Sequence, residues 1–336
     1  MKPESCKKKT PKLGIAFGGG AARGFAHIGV LEALVAAEDA RLMPQLVSGT
    51  STGSIMGALY ASGLSVEDIK SATENIAWAR EVVDVSRSIR DSLVHLTGVL
   101  LPWGLENWLK NDVGIEFDHA RGGFLSSRGL ESWITRMISP KRSFGDLEKR
   151  LAIVATEMVK KERVIFTSPD IAQSMEEYFN ASSQRWLRSR IVDNCSSLAT
   201  AIRASCAIPV VFETIREQGL YLADGGIVDQ VPVQVARAMG ADIVIGVSLG
   251  FTQYFEKTQH PHQMLSNLLD LMSREGIAQS LAMADIAVEI EGIETTSLMD
   301  MEQREALIVQ GRAAMEARLE DLMHMLDHHW GRDGQG

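Results

Sequence analysis

Leu46-Val47-Ser48-Gly49-Thr50-Ser51-Thr52-Gly53-Ser54-Ile55-Met56-Gly57 decides how this chain is read. A short apolar run, expected as a strand over residues 45–48, halts at Gly49, and small residues with helical character follow from Gly53 to Ala61. Gly49 to Gly53 therefore matches G-x-S-x-G in the strand–turn–helix setting that this motif requires. A sharp turn there projects the Ser51 hydroxyl beyond the sheet edge, and the helix N-terminus behind it favours anionic intermediates. An N-capping serine is the competing reading of Ser51.

Upstream, Leu13 to Phe17 reads as a buried strand that stops in Gly18-Gly19-Gly20-Ala21-Ala22-Arg23-Gly24, and His27 to Ala36 has helical spacing. Backbone N–H groups in such a loop can hold a phosphate or a developing oxyanion. A dinucleotide site is disfavoured, because Arg23 stands where GxGxxG needs its last glycine and Glu38 and Asp39 precede the second strand. Downstream, strands are expected over residues 151–156, 163–166, 220–223 and 242–247. Strands interleaved with helices imply an α/β sandwich with a mainly parallel sheet.

The expected organisation is one catalytic domain over residues 13–250, a helical extension over 251–330 packed on it, and a basic flexible tail over 1–12. The extension rests on a stripe of Leu307, Gly311, Met315, Leu319, Leu322 and Leu326. Two stretches break the rhythm. Residues 93–109 are apolar, are interrupted by Gly98, Pro102 and Gly104, and carry Trp103 and Trp108. Residues 168–194 are polar and helical in flavour without an evident core face, and read as a lid, a partner surface or a tolerated insertion.

Composition narrows the classes further. Hydrophobic residues at 45% and charged residues at 23% of 336 exclude long disorder, a collagen-like repeat or a coiled coil. A net charge of −9 argues against a broad nucleic-acid surface. No apolar run reaches the roughly 18 residues that span a bilayer, and residues 1–12 lack the apolar core of a secretory signal. The expectation is a cytoplasmic protein, at most peripheral to the inner face of a membrane. Cys6, Cys195 and Cys206 show no CxxC spacing, so neither a disulfide framework nor a metal site is expected.

A serine nucleophile needs a base. His27, His95, His119, His260, His262, His324, His328 and His329 are the histidines, and none directly follows a strand where a triad histidine usually sits. Asp224 does follow one, in Leu220-Tyr221-Leu222-Ala223-Asp224-Gly225-Gly226. A partly buried carboxylate bonded to a serine hydroxyl can act as the general base without histidine. A turn-forming aspartate is the equal alternative on spacing alone.

Taken in order, these blocks resemble the patatin-like phospholipase family, in particular its bacterial branch. The loop Gly18 to Gly24 resembles that family's G-G-G-x-x-[RK]-G, Gly49 to Gly53 its nucleophile elbow, and Asp224-Gly225-Gly226 its D-G-[GA]. Residues 152–157, Arg203-Ala204-Ser205-Cys206-Ala207-Ile208-Pro209 and Val231-Pro232-Val233 also fit. Ile227-Val228-Asp229-Gln230 departs from the family, which often carries Asn there. The resemblance implies a three-layer sandwich and a lipid acyl hydrolase working through a Ser51–Asp224 dyad on phospholipid or lysophospholipid, with no cofactor. It implies that N–H groups of Gly18, Gly19 and Gly20 hold the oxyanion and that Arg23 braces the loop. For such an enzyme Leu100, Leu101, Trp103 and Trp108 would suit an interfacial segment, because tryptophan favours the headgroup level. A small-ester hydrolase or thioesterase, and a lipid-binding or partner-regulated protein with little catalysis, are the rival readings.

Overall fold

A computed structural model describes residues 11–74, 123–181, 188–250, 261–291 and 303–332. Leu100, Leu101, Trp103 and Trp108 lie outside the described residues, as do His95, His119 and His260.

Eleven strands occur among the described residues: β1 (Leu13–Phe17), β2 (Leu46–Thr50), β3 (Gly123–Leu125), β4 (Arg150–Glu157), β5 (Glu162–Phe166), β6 (Ser189–Val192), β7 (Val210–Phe212), β8 (Ile215–Glu217), β9 (Leu220–Asp224), β10 (Ile243–Ser248) and β11 (Ile286–Glu289). Nine form one sheet with the path β11-β10-β1-β2-β4-β5-β6, and β9 joins β4 while β8 joins β9. The path is parallel except at β4/β5, and the β4/β9 and β8/β9 pairs are also antiparallel. Strands β3 and β7 make a separate parallel pair.

Alternation along the strands divides the interior into two cores, as a pleated sheet covered on both faces must. Leu13, Ile15 and Phe17 of β1 face one core, and Ala16 faces the other. In β4, Leu151, Ile153 and Ala155 join the first core, and Ala152 and Val154 the second. Over the first face lie α1 (Ala26–Ala36), α2 (Thr52–Ala61), α3 (Val66–Glu74), α4 (Arg128–Met137) and, after α5 (Pro169–Ala181) on the far side, α6 (Leu198–Ser205). Over the second face lie α5 (Pro169–Ala181), α7 (Val233–Ala238) and α8 (Pro261–Ala282). The three-layer α/β sandwich expected from the sequence is thus present.

The stripe beyond residue 300 forms two helices, α9 (Arg304–Glu316) and α10 (Leu319–Arg332), with Leu307, Met315, Leu322 and Leu326 buried in the first core. Gly311 abuts α1 so closely that a Cβ would fall 1.9 Å from the Ala26 carbonyl oxygen. Residues past 250 also supply β11, a strand at the sheet edge.

Residues 168–194 differ from expectation. Their described parts are not an excursion from the domain: α5 buries Ile171, Ala172 and Met175 in the second core, and β6 extends the sheet beside β5. The core face was hard to see because few positions carry it, those three buried and Phe179 half-buried against the same core, on an otherwise polar helix. Among the described residues, no helix is long and apolar enough to cross a membrane, and no group of three or more His, Cys, Asp or Glu is placed to hold a metal ion.

Candidate active site

The site arises from how β4 is shared. This strand is eight residues long and β2 is five, so β2 covers only its first part, ending with Thr50 opposite Val154. Strand β9 arrives from the opposite direction and pairs with the remainder, ending with Asp224 opposite Ala155. The C-terminal ends of β2 and β9 therefore meet head-on against consecutive residues of β4. Ser51 is the next residue after Thr50, and its Oγ donates to Asp224 Oδ2 at 2.8 Å.

Ser51 sits at φ 52° and ψ −124°, between β2 and α2. A non-glycine residue rarely occupies such a conformation, and its cost is of order 1–3 kcal/mol. Nearby bonds stabilise the turn. The Ser51 N–H donates to Ser205 Oγ at 2.8 Å, and Ser205 Oγ in turn donates to the Val154 carbonyl at 2.6 Å. Gly53 is required for packing, because a Cβ there would stand 2.1 Å from the Phe17 carbonyl oxygen.

Asp224 is held from all sides. Its N–H donates to the Ala207 carbonyl at 2.8 Å, and its carbonyl accepts from Thr156 Oγ1 at 2.8 Å. Oδ1 accepts the Gly226 N–H at 2.7 Å, which leaves Oδ2 for Ser51. Burial pushes this carboxyl up to about 6, against the smaller opposing pull of the bonds from Gly226 and Ser51. Among the described residues no cation compensates it in the way Arg163 compensates Asp229, five residues on, through a 2.6 Å ion pair.

The segment after Asp224 sews the site together. Asp229 O accepts from Thr50 Oγ1 at 2.7 Å, and Pro232 O accepts from Ser48 Oγ at 2.9 Å, so β2 side chains on one face tie to it. Gln230 reaches the glycine loop, with its O accepting the Gly19 N–H and its Nε2 donating to Gly19 O, both at 3.0 Å. Gly19 lies against Ser51, where a Cβ would stand 3.1 Å from Ser51 Cβ.

The loop donors are distributed unevenly. The Gly18 N–H donates to Val247 O at 2.9 Å and the Gly19 N–H to Gln230 O, so both are engaged within the protein, whereas the Gly20 N–H has no acceptor among the described residues. Arg23 is buried; its Nε donates to Gly20 O at 3.3 Å, its Nη1 to Gly250 O at 2.8 Å, and its Nη2 lies 3.6 Å from Asp270. It braces the loop against the end of β10 and against α8.

His27 is buried and its Nε2 donates to Gly18 O at 2.8 Å; burial lowers its pKa to about 4, so it is neutral and supports the loop. His324 and His328 face one another on α10 at 3.0 Å, remote in sequence from every site element. Cys206 flanks the dyad, but burial and the Asp224 charge raise its thiol pKa, which keeps it protonated. A cavity of about 1240 Å³ adjoins the Asp224–Gln230 segment, with Arg163, Gly226, Asp229 and Gln230 in its wall; Ser51 and Asp224 do not line it.

Sequence reasoning named Ser51, Asp224, Gly18, Gly19, Gly20 and Arg23, and the structure brings all six into one corner. It missed Ser205 and Gln230. Ser205 lies in Arg203–Pro209 and Gln230 in Ile227–Gln230, and neither carries a signal of its role in the sequence.

The patatin-like phospholipase family profile matches residues 15–237. The chain belongs to the patatin-like phospholipase family. It is 26% identical over 240 residues to human patatin-like phospholipase domain-containing protein 6, covering 71% of this chain but 13% of that protein. It is 25% identical over 238 residues to the lysophospholipase NTE1 of Saccharomyces cerevisiae, covering 71% of this chain and 11% of that one. It thus spans only a small part of these relatives. Among solved structures, VipD from Legionella pneumophila aligns over 96% of this chain and 67% of its own, at 18% identity and a TM-score of 0.48.

Proposed function

We propose that this protein is a serine acyl hydrolase of lipid esters, acting on phospholipid or lysophospholipid through a Ser51–Asp224 dyad. The observation that carries the reading is the 2.8 Å hydrogen bond from Ser51 Oγ to an Asp224 carboxylate that no cation among the described residues neutralises. Family membership and the lysophospholipase named among the relatives support the substrate class.

In the proposed reaction Ser51 Oγ attacks the ester carbonyl while its proton passes to Asp224 Oδ2. The carbonyl oxygen becomes an oxyanion facing the glycine loop. Collapse of that intermediate breaks the ester bond, and the departing alkoxide takes the proton from Asp224. Water then attacks the acyl-enzyme, gives a proton to Asp224, and releases a fatty acid as Ser51 recovers its hydrogen. Asp224 with a pKa near 6 is ionised at neutral pH, yet basic enough to accept a proton in the transition state.

Labelling of the pure protein with a fluorophosphonate, alone and with mixed micelles, tests this reading. Wild type is expected to label, Ser51→Ala not at all, and Asp224→Asn at a rate lower by about 10²–10⁴-fold. Labelling that persists in Ser51→Ala, or a folded wild type that never labels, sinks the proposal.

A further inference from the structure

Three consecutive carbonyls of the glycine loop are each held by a different side chain. Gly18 O accepts from His27 Nε2 at 2.8 Å, Gly19 O from Gln230 Nε2 at 3.0 Å, and Gly20 O from Arg23 Nε at 3.3 Å. A trans peptide points its C=O and the following N–H in opposite directions, so holding one aims the other. The Gly18–Gly19 peptide is engaged at both ends, by His27 and by the Gln230 carbonyl. The Gly19–Gly20 peptide is engaged only at its carbonyl, by the Gln230 amide.

Gln230 therefore grips both peptides that flank the Gly19 α-carbon. Glycine has wide conformational freedom, and a single anchor would leave the second peptide free to rotate about Gly19. The backbone arm of the grip survives any substitution at 230, but the amide arm does not. The grip also stands beside the chemistry, since a Cβ on Gly19 would lie 3.1 Å from Ser51 Cβ and 3.2 Å from Gln230 Nε2.

We propose that Gln230 is a positioning residue for the oxyanion hole: by holding Gly19 C=O, its side-chain amide turns the Gly20 N–H toward the carbonyl oxygen that Ser51 attacks. The inference rests on the acyl-hydrolase reading and sharpens it. The Gly18 and Gly19 N–H groups are committed within the protein, and Gly20 supplies the donor. A polar side chain bearing a donor is required at 230, and a carboxylate of the same shape repels the Gly19 oxygen that it should hold.

The test compares full-length wild type, Gln230→Glu and Gln230→Met in hydrolysis of a p-nitrophenyl ester and in inhibition by an alkyl trifluoromethyl ketone. The ketone's hemiketal with Ser51 carries the same oxyanion. Both variants are expected to lose about 10–10²-fold in kcat, somewhat less than deleting an oxyanion donor outright. KM stays within twofold, the pH midpoint set by Asp224 stays in place, and ketone affinity falls in step with kcat. Thermal melts check that each variant folds, and Met, uncharged and of similar length, guards against a charge artefact in Glu. Unchanged kcat and ketone affinity in either folded variant overturns the proposal, as does a rise in KM with kcat intact, which would place Gln230 in substrate binding. Failure of wild type to react with fluorophosphonate would instead remove the acyl-hydrolase reading itself.

Discussion

On one flank of the sheet, β11, β10, β1 and β2 run parallel at regular register; on the other, β4 is met by β2 from one end and by β9 from the other. The first arrangement is repetitive, and each of its strands is followed by a helix that covers a face. The second is a junction, and its irregularity is what produces a site. Were β2 long enough to cover all of β4, no edge would remain for β9, and Asp224 would lie elsewhere. The comparison teaches that reactive residues sit here where a regular ladder is interrupted, because strand ends there release side chains from the pleat.

The junction itself contains a sharper contrast. Asp224 and Asp229 are both buried and both have pKa values raised by burial, yet among the described residues Asp229 has Arg163 and Asp224 has only neutral donors. Replacing each by Asn should separate their roles. Asp224→Asn is expected to slow fluorophosphonate labelling by about 10²–10⁴-fold in a protein that still folds. Asp229→Asn leaves Arg163 buried without its counter-charge and is expected to cost about 3–5 kcal/mol in urea unfolding, with the folded fraction still reactive. If Asp229→Asn abolished labelling at full stability, the division between catalytic and structural carboxylate would fail.

The next largest effect concerns pH. Asp224 works as a base only when ionised, so labelling should rise with pH through about 6 and drop roughly tenfold per unit below it. Stability runs the other way. The folded carboxyl is raised from 3.8 to about 6, so its contribution is fully present below the unfolded value and is lost as pH climbs through 6. Two units correspond to about 3 kcal/mol. Asp224→Asn should therefore outlast wild type in urea at pH 8, and that advantage should shrink as pH falls toward 4. An advantage that did not vary with pH would refute the burial account.

Ser205→Ala removes the acceptor of the Ser51 N–H and leaves that group buried and unpaired. An expected loss of about 1–3 kcal/mol in the melt should accompany slower labelling, since the elbow loses one of its two-step ties to β4. The smallest effect is at Ala21, which holds φ 50° in the middle of the glycine loop. Ala21→Gly should raise stability by about 0.5–1 kcal/mol in the same melt, with labelling close to wild type.

Much of this protein can be read along the chain. The strand at Leu13–Phe17 has the expected bounds, and β2 begins and ends within two residues of its predicted span. Ser51 and Asp224 were legible because each sits beside a strand end with a glycine signature. Ser205 was not, since its hydroxyl acts on a backbone N–H more than 150 positions away. Gln230 was not, because an amide in a turn carries no signal until the Gly19 carbonyl is seen within its reach. The polar run around α5 misled for a related reason: Ile171, Ala172 and Met175 make too thin a stripe to announce a buried helix.

The sequence by itself determined what is local: which segments prefer strand or helix, where glycines allow turns, and which side chains have nucleophilic or basic chemistry. Tertiary structure alone decided that β9 returns antiparallel to the free end of β4, and hence that Asp224 lies within hydrogen-bond reach of the Ser51 hydroxyl. Local preferences depend on neighbours a few residues apart. Strand register depends on burying both faces of a shared sheet at once, and a carboxylate acquires its basicity only when that packing removes its water.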